Sequence, residues 1–284
     1  MNGILTIAHL TFHEARSRKV VLAAVIFGFA FLIIFGIGFY FIFTETATPA
    51  SNAFSRNSLR LQQSAGLTFI IMAGLYAVNF LVVMMAVLMP IDTLSGDIRS
   101  GTIQTLVTKP LRREAVVIGK WLAFWFILFF YLLLMAGGVL LIVRIIASYV
   151  VPNAIIGVAL IFLEATVLMT LSILGGTRLS TLANGVTILG LFGLAFIGGW
   201  LEQIGTLFGN VAAQNFGIIT SLLVPTESLW QLANYHMQPA FVRDLAFTPF
   251  IVASVPSNGM AVWAVIYIVI TLLISLRQFN TRDL

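Results

Sequence analysis

Residues 92–120 read DTLSGDIRSGTIQTLVTKPLRREAVVIGK and form a polar island between two long apolar runs. The island holds five of the fifteen Lys and Arg residues and three of the ten acidic residues of the chain. A loop that only reversed the chain between two apolar segments would need neither this length nor this charge. The island therefore predicts a contact surface for another protein on the basic side of a membrane.

The composition of the whole chain points to lipid as its solvent. It is 60% hydrophobic and 9% charged, whereas soluble domains carry about 25% charged residues. A soluble protein of this composition would expose a large apolar surface, which lipid covers. The chain has no cysteine, which excludes disulfides, thiol catalysis and cysteine-based metal sites. A nucleic-acid partner is not predicted, because no compact basic patch interleaved with aromatic residues is visible.

Six apolar runs are long enough to cross a bilayer, for which about 20 residues are needed. They cover residues 20–43, 67–90, 121–143, 154–174, 182–201 and 260–276. The first run is too long for a signal peptide, and no small-residue cleavage site follows Phe43. The predicted fold is an all-α polytopic membrane protein with a single transmembrane domain, residues 1–284.

The distribution of basic residues predicts the orientation of these spans. With both termini in the cytoplasm, the inner segments carry eleven of the fifteen bases, including the island at residues 91–120. The outer segments carry the other four, which are Arg56, Arg60, Arg144 and Arg243. The positive-inside rule places the side with more Lys and Arg in the cytoplasm. Most of the basic charge of the chain is therefore predicted to lie at the inner membrane surface.

The first 19 residues are predicted to form an interfacial helix. Ile4, Ala8, Phe12 and Ala15 recur at helical spacing, and the opposite face carries His9, His13 and Arg16. Such an amphipathic helix lies in the inner interface with its basic side towards headgroups or a partner. The alternative is a charged flank that only orients the first span.

The outer segment at residues 202–259 is too polar for a seventh full span and too apolar for a free linker. Pro225, Thr226 and Glu227 suit the first turn of a helix, and an apolar stripe follows at Leu229, Trp230, Ala233 and Met237. We expect this amphipathic or re-entrant helix either flat on the outer membrane surface or dipping into the membrane beside the bundle.

The sequence lacks the motifs of common catalytic sites. A Walker A loop requires G-x-x-x-x-G-K-[ST], and the nearest stretch, Gly96–Thr102, has no Lys after its second Gly. H-E-x-x-H and G-x-S-x-G are also absent. His9 and His13 stand four residues apart, but two neutral ligands beside Arg16 make a poor metal site. No catalytic residue, cofactor site or metal site is therefore predicted.

Glu164 is the one acid that the sequence places near the middle of a predicted span. A charge at the bilayer centre costs about 2.5–3.5 kcal/mol on insertion scales, so such residues usually face the bundle interior. We interpret Glu164 as a protonated residue that is hydrogen-bonded to a neighbouring helix. The alternatives are a proton or cation site, or a polar wall of a substrate path.

The polar island resembles the permease subunits of six-helix ATP-binding-cassette exporters, the ABC-type-2 or type V exporter-like family. In that family an acidic stretch precedes Gly-Thr, a few apolar residues, Lys-Pro or Arg-Pro, and then Gly-Lys. Here these elements are Asp97, Gly101-Thr102, Leu106, Lys109-Pro110 and Gly119-Lys120. The order of interfacial helix, spans and outer helix is also similar, so the likeness covers nearly the whole chain. One departure is Asp97, where Glu is the commoner acid.

The resemblance implies a function and its partners. Two permease subunits, identical or paralogous, would form the membrane pathway in the lipid of a bacterial inner membrane. Two separate ATPase subunits would bind the ATP and dock beneath, so this chain would be no enzyme. A coupling helix at Thr102–Val107 would sit in a cleft of the ATPase and be braced by the interfacial helix. The implied contact residues are Asp97, Arg99, Gly101, Thr102, Ile103, Leu106, Lys109 and Pro110.

Two other classes of function remain as alternatives. A secondary transporter or channel subunit would need intramembrane ionisable groups or broken helices in paired positions. A non-transporting membrane subunit of an ATP-driven machine would share the coupling loop but move no solute. The nature of the transported substrate does not follow from the sequence.

Overall fold

Six long apolar helices dominate the structure, a computed structural model that describes residues 3–17, 19–46, 53–91, 93, 96, 113–244 and 252–281. Each of the six is long and apolar enough to cross a membrane, which confirms the predicted number of spans. They cover Lys19–Glu45, Ala65–Leu88, Glu114–Ala147, Ala154–Gly176, Thr181–Phe208 and Gly259–Asn280. All regular secondary structure in the described ranges is helical, so the predicted fold class is also confirmed.

The described ranges contain ten helices, which are numbered in chain order. They are α1 (Gly3–Ser17), α2 (Lys19–Thr46), α3 (Ala53–Leu88), α4 (Arg113–Ala147), α5 (Ala154–Gly176), α6 (Thr181–Phe208), α7 (Val211–Leu223), α8 (Thr226–Met237), α9 (Ala240–Asp244) and α10 (Gly259–Asn280). The end of the bundle at which α3 ends and α4 begins is called the loop side, and the opposite end is called the far side.

The centre of the bundle is α5. It packs against α3, α4, α6, α8 and α10, and 61% of its apolar stretch is buried, compared with 6% for α2. A helix that is apolar on all faces is one that other helices or lipid surround. From residue 160 to residue 176 every side chain of α5 is buried or half-buried, so a polar residue in this stretch lies inside the protein rather than against lipid.

The first span, α2, lies at the edge of the bundle against α3 and α4. Phe31, Phe35, Phe39 and Phe43 recur every four residues, and consecutive rings stack with 5.8–6.4 Å between centroids. The ring of Phe35 occupies the space beside Gly74 on α3, where a Cβ would collide with it. Many large side chains on the rest of α2 are exposed, so that face is available to lipid.

The turn between α6 and α7 is set by Gly209 and Asn210. Gly209 has φ +67°, a left-handed conformation that glycine adopts without strain and that commonly ends a helix. The side-chain oxygen of Asn210 then accepts hydrogen bonds of 3.1 and 3.2 Å from the N–H groups of Ala212 and Ala213. An asparagine in this position caps the next helix. These two residues therefore end α6 at the far side and start α7 in the opposite direction.

Glycines allow α7 to run back closely alongside α6. A Cβ on Gly217 would lie 2.6 Å from the carbonyl oxygen of Gly198, and a Cβ on Gly205 would lie 2.8 Å from the backbone nitrogen of Gln214. Small residues at such contacts let helix backbones approach. The 13 residues of α7 span about 20 Å, less than the ~30 Å of a hydrocarbon core. α7 therefore ends near the middle of the bundle.

The next helix, α8, returns to the far side along α5. Glu227, in the first turn of α8, lies against Gly199 in the middle of α6, where a Cβ would collide with its side chain. The first turn of α8 therefore lies deep in the bundle. Its last turn is back at the far side, where the carbonyl oxygen of His236 accepts a 3.3 Å hydrogen bond from Asn153. α7 and α8 (residues 211–237) are called the re-entrant pair.

The re-entrant pair decides between the two positions expected for the outer amphipathic helix. The predicted apolar stripe of Leu229, Trp230, Ala233 and Met237 is buried. The indole of Trp230 contacts the ring of Tyr76 on α3, with 5.3 Å between centroids. The stripe thus faces the inside of the bundle and does not lie flat on its surface.

Candidate functional site

The predicted coupling contact lies outside the described residues. This holds for Asp97, Arg99, Gly101, Thr102, Ile103, Leu106, Lys109 and Pro110. Their role therefore stays a prediction. The structure does describe the two ends of the loop, at Thr93 and from Arg113 onwards.

The two ends of the loop are tied together inside the protein. The ammonium group of Lys120 in α4 donates a hydrogen bond of 3.1 Å to the carbonyl oxygen of Thr93. Both residues are buried, with exposures of 3% and 1%. A hydrogen bond that involves a charged group contributes about 1.5–3 kcal/mol. A displacement of the loop is therefore passed to α3 and α4 together.

The N-terminal helix α1 packs against the start of α4. The contact is close at Gly119, where a Cβ would lie 2.9 Å from the carbonyl oxygen of Ile4 and from the side chain of Ile7. The buried line on α1 runs through Ile7 and Thr11, whereas Phe12 of the predicted apolar stripe is 44% exposed. The face of α1 that meets the bundle is therefore the one with Ile7 and Thr11, and Phe12 of the predicted apolar stripe lies outside this contact.

Polar side chains join the spans at the loop side by bonding to backbone carbonyls. Ser172 on α5 donates a 3.0 Å hydrogen bond to the carbonyl oxygen of Val87 on α3. Asn184 on α6 donates a 2.8 Å bond to the carbonyl oxygen of Ser172, and its amide lies against Gly175, where a Cβ would collide with it. These bonds join α3, α5 and α6 at the loop side of the bundle.

The predicted intramembrane acid, Glu164, lies at the centre of α5 and is fully buried. The side-chain amide of Asn79 on α3 donates a 3.3 Å hydrogen bond to its Oε1. Its second oxygen, Oε2, has no hydrogen-bond partner. Buried polar atoms are nearly always paired, so an unpaired one needs a physical explanation.

Glu227 is the candidate residue that sequence reasoning missed. The sequence predicts a helix start at this residue, either flat on the outer membrane surface or dipping into the membrane. In the structure Asn79 on α3 is hydrogen-bonded to Glu164, and Tyr76, one turn earlier on α3, contacts Trp230, which lies one turn after Glu227. The re-entrant pair therefore brings Glu227 into the same part of the bundle as Glu164. The hydroxyl of Tyr76 is also within electrostatic reach of both carboxyl groups. The sequence signal that could have located Glu227 is the length of α7, which is too short to cross a bilayer but reaches its middle.

A line of polar side chains leads from Glu227 towards the far side. Gln231 is hydrogen-bonded to Glu227, and its Oε1 accepts a 3.0 Å bond from Gln203. Gln203 also binds the backbone of Ser254, donating to its carbonyl oxygen at 3.0 Å and accepting from its N–H at 2.9 Å. The Ser254 hydroxyl donates a 2.6 Å bond to Glu202. The line ends in the partly exposed segment before α10.

The described residues contain no group of three or more His, Cys, Asp or Glu side chains that could hold a metal ion. What the arrangement offers is a mechanical link at the loop side and a carboxyl pair in the middle of the bundle. The link suits a protein that is moved by a partner at its loop. The carboxyl pair can hold or release protons.

Six apolar spans, one of which is the buried central helix α5, define the class of the molecule as a polytopic helical membrane protein. The chain belongs to the family described as ABC-2 family transporter protein, whose model matches residues 5–284. No curated protein matches the chain. As the resemblance of the polar island implied, the chain is a membrane permease subunit of an ABC transporter.

Proposed function

We propose that this permease belongs to an exporter and is driven by separate ATPase subunits that bind the loop at residues 91–120. Membership of the ABC-2 family supports an ABC ATPase as the partner. The observation that carries the proposal is the buried tie between Lys120 and Thr93. It makes the base of the loop a rigid junction of two spans, which is what force transfer from a partner requires.

The coupling element in this proposal is Thr102–Val107. Gly101 can adopt backbone angles that are closed to other residues, which lets a short helix break away from the preceding span. Ile103 and Leu106 stand three residues apart and would present one apolar face to a cleft of the ATPase. Asp97 and Arg99 would pair with charges at the rim, where an exposed ion pair contributes little, about 0–1 kcal/mol.

The packing of α1 on α4 supports a brace for this element. α1 contacts the backbone around Gly119, the residue before the buried Lys120. Movement of the loop base would therefore also move α1, which lies at the inner membrane surface in this proposal. In the same proposal Lys109 and Pro110 end the coupling element before α4 begins.

The proposed assembly contains two permease subunits, identical or paralogous, in the lipid of a bacterial inner membrane, with both termini in the cytoplasm. The charge distribution supports this orientation. The chain itself binds no ATP and needs no cofactor in this proposal, since its sequence lacks a Walker A loop. The purified chain alone should accordingly hydrolyse no ATP.

The coupling proposal is tested by replacing Ile103 and Leu106 together with Asp and capturing the permease from membranes. We expect the double variant to insert normally and to lose its ATPase, because two carboxylates would enter an apolar cleft. The matched control replaces Gln104 and Thr105 with Asp, which adds the same charge to another face of the predicted helix. Capture of the ATPase at the normal ratio by the first variant would show that the coupling assignment is wrong.

A further inference from the structure

We propose that Glu164 and Glu227 form a proton-binding site in the middle of the bundle, and that its protons exchange with solution at the far side. Two contacts of α3 place the pair together: Asn79 donates a 3.3 Å hydrogen bond to Glu164, and Tyr76, one turn earlier, lies with its ring centroid 5.3 Å from that of Trp230, one turn after Glu227. The site thus joins α5 to the inner end of the re-entrant pair. This inference goes beyond the proposed coupling function and does not depend on it, since it concerns groups far from the loop.

The first argument is the charge balance around the pair. The described basic side chains of α4 and α10, which pack against α5, lie towards the ends of those helices and are Lys120, Arg144 and Arg277. The other helical stretches around the pair, residues 65–88, 154–176, 181–208, 211–223 and 226–237, contain no Lys or Arg. Two like charges in a low-dielectric interior repel strongly, and one of two close carboxyl groups is then held protonated. Because these helical stretches carry no basic side chain, the two carboxylates would have to be neutralised by binding protons.

The second argument is the set of unpaired oxygen atoms. Glu164 Oε2, Asn79 Oδ1 and Thr226 Oγ1 are all buried without a hydrogen-bond partner. Glu164 and Thr226 are fully buried, and Asn79 is 4% exposed. A proton on a carboxyl group turns an acceptor into a donor, which can satisfy an unpaired acceptor on a neighbour. Glu164 Oε2 and Asn79 Oδ1 are both acceptors, so these two atoms lack a hydrogen atom that a proton on a carboxyl group would supply. The hydroxyl of Thr226 carries its own hydrogen.

The third argument is the route to solution. The polar line from Glu227 through Gln231 and Gln203 reaches Ser254 and Glu202 near the far side. Amide side chains are poor proton carriers, but such a line can bind water inside an otherwise apolar bundle. On the loop side of Glu164, Asn184 and Ser172 bond to backbone carbonyls and close the packing. Exchange is thus expected from the far side.

The other titratable groups do not offer an alternative explanation. Of the described side chains on the helices packed against α5, Tyr76 and Glu227 interact electrostatically with Glu164. No electrostatic interaction with Glu164 is found for the others. They are Glu114, Lys120, Tyr131, Arg144, Glu202, Tyr235, His236, Tyr267 and Arg277. The pair and Tyr76 therefore form one local group.

The test uses the full chain in lipid nanodiscs and follows the infrared carbonyl stretch of protonated carboxyl groups as the pH is raised. The wild type should show a titrating signal that Glu164→Gln and Glu227→Gln each reduce and that the double variant loses. A titrating signal that survives in the double variant would overturn the proposal. So would a pair that stays ionised, or stays protonated, at every pH at which the protein remains folded.

Two further measurements sharpen the test. Added sodium or potassium should leave the titration in place, and loss of the protonated signal at constant pH would show an alkali-ion site instead.

Gln203→Leu and Gln231→Leu should slow deuterium exchange of the carboxyl signal several-fold, whereas Gln214→Leu on α7 serves as the control and should not. Unchanged exchange in both path variants would show that the far-side route is wrong.

Discussion

At the scale of single residues, the buried Lys120 is the clearest link between the loop and the spans. Its ammonium group is held by the carbonyl oxygen of Thr93. The sequence placed Lys120 in the polar island, where it counted as one of the anchoring bases. Burial of a lysine cannot be predicted from charge counting, because it depends on a partner that the chain supplies 27 residues earlier.

Lys120→Met should weaken this junction, since it keeps the length of the side chain but removes the donor. Loss of a hydrogen bond that involves a charged group costs about 1.5–3 kcal/mol, so we expect a lower melting temperature of the purified protein and weaker coupling to the ATPase. Lys19→Met, at the exposed start of α2, is the control for loss of a positive charge. Equal melting temperatures for the two variants would argue against a structural tie.

The burial of Glu164 could be predicted from the sequence, but the position of Glu227 near it could not. The mid-span position of Glu164 identified it as buried, and its bond with Asn79 agrees with that reading. The short length of α7 indicates that Glu227 lies deep in the bundle. It does not indicate that Glu164, 63 positions away, lies in the same part of the bundle. Contacts between residues far apart in the sequence depend on tertiary packing, which periodicity and composition do not predict.

Glu164→Gln should assemble normally, because the amide keeps the size of the side chain and an oxygen that can accept from Asn79. Glu164→Leu should lower stability by about 1–3 kcal/mol, since it leaves the Asn79 amide buried without its acceptor. Thermal melting of the two purified variants distinguishes them. Equal stability of both would mean that the Asn79 bond contributes nothing measurable.

At the scale of elements, the re-entrant pair is the part of the fold that the sequence described least completely. Its helix start at Pro225 and its apolar stripe were visible, but the direction of the stripe was not. The direction follows from backbone contacts between α6 and α7 at glycine, such as Gly217 on Gly198. Glycines are common in apolar helices, so a single sequence does not show which glycine contacts which helix.

Gly217→Ala should separate α7 from α6. Its new Cβ would lie 2.6 Å from the Gly198 carbonyl oxygen and 3.0 Å from the Cα of Glu202, and both are backbone atoms that cannot rotate away. Overpacking of this kind costs about 1–3 kcal/mol. The melting temperature of the purified protein should therefore fall.

The matched control is Gly193→Ala on α6, where an added Cβ meets nothing within 4 Å. Alanine is favoured over glycine in a helix by up to about 1 kcal/mol, so this variant should be as stable as the wild type or slightly more stable. Changes of the same sign in both variants would contradict the packing described for the re-entrant pair.

At the scale of the whole molecule, the number of spans and the helical fold were predictable because lipid imposes them. A backbone inside a bilayer must satisfy its own hydrogen bonds, so long apolar runs become helices whatever their neighbours are. The arrangement of the helices around α5 was not predictable. It depends on specific polar bonds, such as that from Ser172 to Val87.

The orientation of the molecule is the last property that the charge distribution predicts. Since the chain has no cysteine, single cysteines can report the side on which a residue lies. Leu179→Cys lies in the exposed turn between α5 and α6 at the loop side, and Asn258→Cys lies in the exposed segment before α10 at the far side. With eleven bases on the loop side, an impermeant thiol reagent should label Asn258→Cys in intact cells. It should reach Leu179→Cys only after the membrane is opened. Labelling of both from one side would refute the six-span topology, whereas exchanged sides would keep the topology and reverse the orientation.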